Sequence, residues 1–307
     1  MYDLIVVGAG PAGLTAAVYA RRAGKSVLLL DKGAFGGQIT YSPKVENYPG
    51  FESISGSELA DRMVEQVLFQ GADVEVEQVS AVRVENGCKI VETEDGNVYE
   101  SRAVILACGA RHRHLGLAGE ENFIGEGISF CAVCDGAFYQ NQTVALIGGG
   151  NSALQEAILL AETCKKVYVI QNLDFLTGEK RLQEILAARG NVEIITGTVV
   201  SAIDPGAEFR GITLKNTHSG EESHLPLDGM FVAIGLVPEN EAFSSLADLD
   251  EAGYFDSGED CLTRTEGIFV AGDCRKKGVR QVTTATADGA TAAVAACRYL
   301  ESLSGKM

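Results

Sequence analysis

The sequence has little positive charge. It contains 25 Lys and Arg against 42 Asp and Glu, which gives a formal net charge of −17 at pH 7. An acidic surface repels phosphate backbones and anionic lipid headgroups, which argues against nucleic-acid binding and against attraction to a membrane. The one dense basic segment, Arg275-Lys276-Lys277 with Arg280, fits either solvated loop charge or a site that docks a partner or a phosphate.

Long apolar runs and prolines are also scarce. No stretch of about 18 apolar residues is present, so no transmembrane helix is expected. The first residues, Met1-Tyr2-Asp3, lack the positive flank of a signal peptide, and we therefore expect a cytoplasmic protein. With 6 Pro, 22% charged and 46% hydrophobic residues, the chain does not have the composition of a disordered protein. Its 307 residues suffice for two domains of ordinary size.

Closely spaced cysteines occur only once. The chain has 8 cysteines, and their wide spread argues against a disulfide framework. Cys131 and Cys134 alone are near neighbours, and such a CxxC pair fits a metal site, a structural disulfide or a redox dithiol. His112 and His114 would complete a zinc site only in an unusual order and spacing, so no metal is predicted. Cys274 belongs to a C-terminal motif and remains open, and the cysteines predicted to be small core or surface residues are Cys88, Cys108, Cys164, Cys261 and Cys297.

The start of the chain predicts a dinucleotide-binding unit. An apolar run indicates a buried parallel strand, the glycine turn Gly8–Gly13 follows, and a helix and a second strand come next. In this pattern Gly8 permits a tight turn, Gly10 lets the backbone approach a pyrophosphate, and Gly13 lets helix and strand pack closely. Asp31 ends the second strand, where it can accept hydrogen bonds from a ribose.

A second unit of the same kind follows the CxxC pair. A buried strand at 142–147 leads into the glycine turn at 148–150, so the chain is predicted to be an α/β protein with two dinucleotide sites. Near the C-terminus an apolar strand ends in Gly272-Asp273, where the acid suits a polyol or ribityl chain or, alternatively, caps a helix. The loops 36–39 and 45–50 fit either surface turns or segments that fold over the dinucleotide.

Taken in order, these segments resemble one known family. They are GAGPAG at 8–13, GGQ at 36–38, ENYPGF at 46–51, CAVCDG at 131–136, GGGNSA at 148–153 and GDC…RQVTTATADGATAA from 272 to 293. Together they resemble the low-molecular-weight, bacterial-type thioredoxin reductases, essentially from end to end. The position of the CxxC separates this family from glutathione-reductase-type enzymes, whose redox cysteines follow the first glycine turn, and from ferredoxin–NADP reductases, which lack the pair.

The resemblance implies a fold and an activity. The fold is α/β with two Rossmann-like dinucleotide-binding domains, the second inserted into the first, in a homodimer. An FAD-binding domain would consist of residues 1–114 and 246–307, and a pyridine-nucleotide-type domain with the CxxC pair of residues 115–245. The implied activity is FAD-dependent reduction of the disulfide in a thioredoxin-like protein.

The resemblance also implies site residues. Cys134 would face the flavin, Cys131 would face the substrate disulfide, and Asp135 would manage protons during the exchange. FAD contacts are implied at Gly8, Gly10, Pro11, Ala12, Gly13, Asp31, Gly37, Gln38, Asn47, Val79, Gly109, Gly272, Asp273, Arg280, Gln281 and Val282. Pyridine-nucleotide contacts are implied at Gly148, Gly149, Gly150, Asn151, Ser152, Gln171 and Asn172.

The chain departs from the family where the NADPH enzymes bind the 2′-phosphate. Those enzymes have His-Arg-Arg after the strand at 167–170 and a further Arg four residues later, whereas here the run is QNLDFLT at 171–177. Uncharged side chains do not replace an arginine fork, so NADPH is disfavoured. NADH is the favoured donor, because Gln171 or Asn172 can hydrogen-bond the ribose hydroxyls. A ferredoxin-type donor and unusual NADPH use remain as alternatives.

Two other functions remain as alternatives at this stage. One is a flavoprotein without turnover, a redox sensor whose CxxC reports the redox state. The other is an NADH-dependent reductase that serves a peroxiredoxin system through a separate thioredoxin-like protein. Turnover of a thioredoxin-like substrate separates the enzymes from the sensor. The resemblance further implies domain movement, with hinges near 112–117 and 243–247.

Overall fold

The computed structural model of the chain describes residues 1–33, 35–42 and 44–304, which form two compact units. The first unit consists of the described parts of Met1–Pro43, Tyr48–Arg111 and Val237–Met307, and the second of Lys44–Asn47 and His112–Leu236. The chain therefore passes from one unit to the other after residues 111 and 236, whereas the sequence-based domain boundaries are 114 and 245. Contacts between residues distant in sequence define the units. For this reason no local sequence pattern indicates that residues 44–47 belong to the second unit.

The described residues form both strands and helices. The strands are β1 Tyr2–Val7, β2 Val27–Asp31, β3 Asp73–Val76, β4 Val79–Glu85, β5 Cys88–Thr93, β6 Val98–Leu106, β7 Ala110–His112, β8 Ile128–Ser129, β9 Thr143–Ile147, β10 Lys166–Ile170, β11 Val192–Ile195, β12 Thr198–Ile203, β13 Gly211–Asn216, β14 Glu222–Pro226, β15 Gly229–Val232, β16 Leu236–Pro238 and β17 Ile268–Val270. The helices are α1 Pro11–Arg22, α2 Gly56–Phe69, α3 Ala132–Asp135, α4 Asn151–Thr163, α5 Lys180–Ala187 and α6 Val282–Ser304. None of the helices described here is long and apolar enough to cross a membrane.

The first unit is built on a seven-stranded sheet. Its strand order is β3-β2-β1-β6-β5-β4, and β17 also pairs with β6. β1 runs parallel to β2 and β6, and its central residues Leu4, Ile5 and Val6 have no exposed surface. Leu4 and Val6 pack under α1 and α6, whereas Ile5 packs on the opposite face. Burial on both faces explains the continuous apolar run that predicts this strand.

The sheet differs from the sequence prediction at two places. Short alternating strands forming hairpins are predicted at 73–84, 88–93 and 97–99, but β3 pairs in parallel with β2 while β4 pairs antiparallel with β5. Separate strands are predicted at 97–99 and 103–110, but β6 is continuous and pairs with both β5 and β1. Polarity patterns indicate that a strand is present, whereas its neighbours and its breaks depend on residues distant in sequence.

Helix α6 begins earlier than predicted and packs closely on α1. The sequence predicts its start at Ala285, and the helix begins at Val282. The first three residues are β-branched, which lowers their helix propensity, but the Thr284 hydroxyl accepts a hydrogen bond from Gln281 N at 3.1 Å. A Cβ at position 289 would overlap the Ala12 carbonyl oxygen, so glycine is required where the two helices meet.

The second unit contains a parallel and an antiparallel sheet. The parallel sheet has the order β11-β10-β9-β15-β8, and the antiparallel sheet has the order β12-β13-β14. Helix α4 covers one face of the parallel sheet through Ala153, Ala157 and Leu160. Residues of the antiparallel sheet, including Ile212 and Leu214, pack on the other face. This layering holds the strand ends, and therefore the turns that follow them, at one edge of the sheet.

The two histidines near the first crossing have packing and hydrogen-bonding roles. The rings of His112 and His114 stack on Phe130, and their centroids lie 4.8 and 5.1 Å from the centroid of the Phe130 ring. Burial lowers the pKa of His112 to about 4. His114 Nδ1 lies 2.9 Å from Glu121 Oε1. Within residues 1–33, 35–42 and 44–304, no group of three or more His, Cys, Asp or Glu is placed to hold a metal ion.

Candidate redox turn and dinucleotide turns

The cysteine pair lies in a one-turn helix that follows a parallel strand. β8 ends at Ser129 and α3 begins at Ala132, so Cys131 is the N-cap residue. The sulfurs of Cys131 and Cys134 form a disulfide, and their Cα atoms are 5.3 Å apart. Cys134 N donates a hydrogen bond to Cys131 Sγ at 3.2 Å. Amide groups at a helix start favour a thiolate, which is the reactive form of a cysteine. We call residues 131–135 the redox turn.

A buried carboxyl group ends the redox turn. Asp135 Oδ2 accepts a hydrogen bond from Ser129 Oγ at 2.6 Å. Its second oxygen, Oδ1, is buried and has no hydrogen-bond partner among the described residues. Burial raises the pKa of Asp135, and the Ser129 hydrogen bond opposes that rise. A carboxyl group in this state can hold a proton beside the cysteines at a higher pH than an exposed aspartate can.

Two residues of this site were missed by the sequence analysis. Ser129 Oγ accepts a hydrogen bond from Cys131 N at 3.1 Å and so joins Asp135 to the first cysteine. Glu156 of α4 accepts a hydrogen bond from Ala132 N at 3.1 Å through Oε2. Burial raises the pKa of Glu156 to about 7. Ser129 is detectable as the end of a strand before the CxxC pair, whereas Glu156 lies on a separate helix and has no local signal.

The first glycine turn has the geometry that the sequence predicts. Gly8 has a φ of +105°, and a Cβ there would overlap the carbonyl oxygen of Ala107. A Cβ at Gly13 would overlap the Gly8 carbonyl oxygen, so Gly13 lets helix and strand pack closely, as predicted. Gly10 is the N-cap of α1, and a Cβ there would meet nothing within 4 Å. The space beside Gly10 therefore leaves the backbone accessible to a ligand.

Asp31 and the loop after it lie against the first glycine turn. Asp31 accepts hydrogen bonds from Ala9 N at 2.5 Å and from Gly33 N at 3.0 Å. Gly36 N donates to the Ala9 carbonyl oxygen at 2.8 Å. A Cβ at Gly37 would lie 3.1 Å from Gly10 Cα, and Gln38 follows in the same one-turn segment. Asp31 thus supports the turn, and each of its oxygens keeps a lone pair for a further donor.

The basic segment near the C-terminus forms buried ion pairs. Arg275 is 2% exposed, and its Nη1 lies 2.9 Å from Asp288 Oδ2. Lys277 Nζ lies 3.2 Å from Asp288 and 3.2 Å from Asp273. The interpretation as solvated loop charge is therefore wrong for Arg275, and of the residues Arg275, Lys276 and Lys277 only Lys276 is exposed. Because α6 supplies Asp288, the partner of these cations is set by tertiary packing.

This network surrounds the turn at Gly272-Asp273. Gly272 N donates to Asp288 Oδ2 at 3.0 Å. Asp273 Oδ1 is buried and has no hydrogen-bond partner among the described residues, although it forms an ion pair with Lys277 Nζ at 3.2 Å. Burial raises the pKa of Asp273, and Lys277 opposes the rise. Arg280 donates to the Asp273 carbonyl oxygen at 3.2 Å and stacks on an aromatic ring. The Asp273 carboxylate is paired with Lys277, and its lone pairs can still accept a hydrogen bond from a ligand.

The other residues implied for FAD binding are spread over the chain. Val79 begins β4, Gly109 follows β6 in a left-handed conformation, and Gln281 and Val282 lie at the start of α6. These four belong to the first unit, together with the residues of the first glycine turn. Asn47 belongs to the second unit. Gly8–Gly13, Asp31 and Gly37 are brought together in the first unit.

The second glycine turn is covered by the loop after β10. The Gly149 carbonyl oxygen accepts hydrogen bonds from Thr177 N and Gly178 N, both at 2.8 Å. Gln171 is 7% exposed, and a Cβ at Gly149 would lie 2.6 Å from its side-chain Cδ. Within residues 1–33, 35–42 and 44–304, the Gln171 amide forms no side-chain hydrogen bond. The sequence analysis did not predict that Gln171 would be buried, because the contact joins two strand ends.

The first turn of α4 contains no charged residue, but the Glu179 carboxylate lies against it. Gly150 is its N-cap, and Asn151 and Ser152 are exposed in its first turn. Asn151 Oδ1 accepts from Glu179 N at 2.7 Å, and its Nδ2 donates to the Glu179 carboxylate at 3.3 Å. Asn172 is exposed. A carboxylate at this helix start lowers the attraction for additional phosphate groups.

Comparisons with known proteins identify the family. The family model for pyridine nucleotide-disulphide oxidoreductases matches residues 2–289. A thioredoxin reductase of Listeria innocua is 42% identical over 99% of this chain and 95% of its own length. A thioredoxin reductase of Bacillus subtilis is 40% identical over 99% of this chain and 96% of its own length. The crystal structure of a Streptococcus pyogenes thioredoxin reductase matches with a TM-score of 0.92 and 39% identity, over 98% of this chain and 99% of that one.

The chain belongs to the thioredoxin reductases of the low-molecular-weight bacterial type, within the pyridine nucleotide-disulphide oxidoreductases. The resemblance noted in the sequence is therefore confirmed, as is the α/β fold with Rossmann-like parallel sheets. Thioredoxin reductases of this type imply FAD and a pyridine nucleotide. The open space at Gly10 and the buried Asp273 carboxylate fit FAD, since the first would admit its pyrophosphate and the second would accept from its hydroxyl groups.

Proposed function

We propose that this chain is an FAD-dependent thioredoxin-disulfide reductase and works as a homodimer. The observation that carries the proposal is the disulfide of the redox turn, partly exposed and beside the buried carboxyl of Asp135. The relatives from Listeria innocua and Bacillus subtilis, which are of similar length, are thioredoxin reductases. The FAD-binding domain would be residues 1–114 and 246–307, and residues 115–245 would bind the pyridine nucleotide.

Bound FAD would relay two electrons from the donor to the disulfide. The disulfide takes up two electrons and two protons and becomes two thiols. Cys131 then attacks the substrate disulfide and forms a mixed disulfide, and Cys134 resolves it. This step restores the enzyme disulfide and releases the substrate as a dithiol. The exposed side chain of Val133 between the cysteines supports access by a protein substrate.

Asp135 is the proposed proton donor to the leaving thiolate. Asp135→Asn is expected to lower kcat for thioredoxin reduction about 10- to 100-fold, because the amide has no transferable proton. Burial raises the pKa of Asp135, so the acid form persists upward in pH and is lost as pH rises through that raised value. The wild-type rate should therefore fall on the alkaline side, and the variant should lack this dependence. Steady-state kinetics across pH measure both.

A matched control for Asp135 is available in the same unit. Asp204 hydrogen-bonds His224 at 2.8 Å, and Asp204→Asn removes one carboxylate without touching the redox turn. Its rate and its pH profile should equal those of the wild type. Parallel pH profiles for Asp135→Asn and the wild type would show that Asp135 is not the proton donor.

We infer that NADH is the electron donor. The Gln171 side chain is buried against the glycine turn, and its amide, which forms no hydrogen bond to the described residues, could bind a ribose hydroxyl. The positions of the three family arginines hold Asn172, Leu173 and Thr177, all exposed and uncharged. The Glu179 carboxylate near the start of α4 adds a charge that disfavours a 2′-phosphate.

Anaerobic stopped-flow absorbance tests the function and the donor together. The FAD-loaded protein is mixed with NADH, NADPH or reduced ferredoxin, and flavin bleaching and thioredoxin reduction are followed. NADH is expected to bleach the flavin at least about 10-fold faster than NADPH, since no arginine holds a phosphate. Rapid bleaching by NADPH alone or by ferredoxin alone would overturn the NADH assignment. Flavin and disulfide reduction without thioredoxin turnover would favour the redox sensor.

A further inference from the structure

Helix α4 presses one charged residue against the redox turn. Its positions 153, 156, 157 and 160 lie on one face, given the helical repeat. Ala153, Ala157 and Leu160 are buried there with Ala132 of the turn. A Cβ at Gly136 would lie 3.2 Å from Leu160 Cδ2, so helix and turn are in direct contact. Glu156 is the single charged residue on this otherwise apolar face.

The Glu156 carboxylate binds the backbone between the two cysteines. Its Oε2 accepts from Ala132 N at 3.1 Å, and Ala132 is the residue that follows Cys131. The neighbouring donor, Cys134 N, faces Cys131 Sγ at 3.2 Å. The turn thus has one amide engaged by a sulfur and another engaged by a carboxylate. Burial raises the free energy of the charged Glu156 carboxylate. Packing alone would be served equally well by an apolar residue at this position.

We propose that Glu156 is a positioning residue of the redox turn, and that its carboxylate sets the balance between the Cys131–Cys134 disulfide and the dithiol. Opening the disulfide produces thiols, one of which ionises to act as a nucleophile. The negative charge of Glu156 beside this thiolate opposes ionisation, and its hydrogen bond withholds the Ala132 amide from the sulfur. Glu156 therefore favours the disulfide. The inference rests on the proposed function, because it requires that this disulfide is redox-active.

The test compares Glu156→Gln with the wild type in their FAD-loaded forms. The amide oxygen of Gln can still accept from Ala132 N, but the charge is gone. Each protein is equilibrated anaerobically, at about pH 8, with mixtures of dithiothreitol and its cyclic disulfide. Dithiothreitol supplies two electrons and two protons to the enzyme disulfide and closes to its own ring. Acid quenching, differential alkylation and mass spectrometry of the peptide with both cysteines then give the dithiol fraction.

The equilibrium constant for Glu156→Gln is expected to shift toward the dithiol about three- to tenfold, the scale expected for one partly screened charge on the turn. Alkylation of the reduced enzyme by iodoacetamide should become faster by a similar factor, because more thiolate is present. An unchanged equilibrium constant and alkylation rate would overturn the inference. FAD absorbance and the thermal unfolding midpoint verify that the variant folds like the wild type.

Glu162 supplies the matched control. It is on the same helix and is exposed, and its carboxylate lies 3.4 Å from Arg189 Nη2. Glu162→Gln makes the same change in net charge, and its equilibrium constant should equal that of the wild type. An equal shift in both variants would assign the effect to net charge and remove the role of Glu156. A wild-type disulfide that no dithiothreitol ratio opens, with no thioredoxin turnover, would instead refute the proposed function.

Discussion

Cys134→Ser is expected to abolish thioredoxin reduction, by at least about 1,000-fold, because the disulfide of the redox turn can no longer form and relay electrons. Cys131→Ser is expected to have an effect of the same size, since the two sulfurs form a single bond. Flavin reduction by NADH should persist in both variants, because the donor reaches FAD before the cysteines act. Stopped-flow bleaching and steady-state thioredoxin reduction separate the two half-reactions.

A free cysteine gives the control for this prediction. Cys88 lies at the start of β5, is free and partly exposed, and belongs to the first unit. Cys88→Ser should reduce thioredoxin at the wild-type rate. Residual turnover in Cys131→Ser or Cys134→Ser above a few per cent of the wild type would contradict the relay, because a single thiol cannot complete the exchange.

Installing the missing arginines is expected to reverse the donor preference. The variant Asn172→Arg, Leu173→Arg and Thr177→Arg places guanidinium groups at three exposed positions. The ratio of kcat/KM for NADPH to that for NADH should rise roughly 100-fold or more, since each hydrogen bond from a cation to a phosphate contributes about 1.5–3 kcal/mol. Steady-state kinetics with both nucleotides, using thioredoxin as the acceptor, measure the ratio.

The same three positions provide the control. A variant with Gln at residues 172, 173 and 177 adds long polar side chains without charge. Its nucleotide preference should remain that of the wild type. If the arginine variant and the glutamine variant give the same ratio, the side chains at 172, 173 and 177 do not govern the choice of donor.

The dinucleotide units could be predicted because their signals are local. Gly8 and Gly13 stand at positions where a side chain would overlap a carbonyl oxygen, so the residue type reports the turn directly. The buried parallel strand before them is an apolar run because both of its faces are covered. Cys131 and Cys134 are three residues apart, so their pairing is also a local property. These features agree with the family to which the comparisons assign the chain.

Residues that act through distant partners could not be predicted in the same way. The segment of Arg275 and Lys277 has the composition of a surface patch, and only the position of Asp288 on α6 turns it into buried ion pairs. Gln171 is a polar residue directly after a strand, where an exposed side chain is expected, and contact with Gly149 buries it. Charge pairing and burial depend on which elements the fold brings together, and sequence spacing does not contain that information.

The sequence by itself determined the chemistry of this protein: a CxxC pair, two glycine turns, and the loss of the phosphate-binding arginines. Each is a short-range property, because a turn or a motif is made by residues a few positions apart. The tertiary structure decided the surroundings of that chemistry. It joined Asp135 to Cys131 through Ser129, and it placed Glu156 on the amide between the cysteines. Burial and hydrogen bonding set proton affinity, and both arise only when separate helices and strands pack.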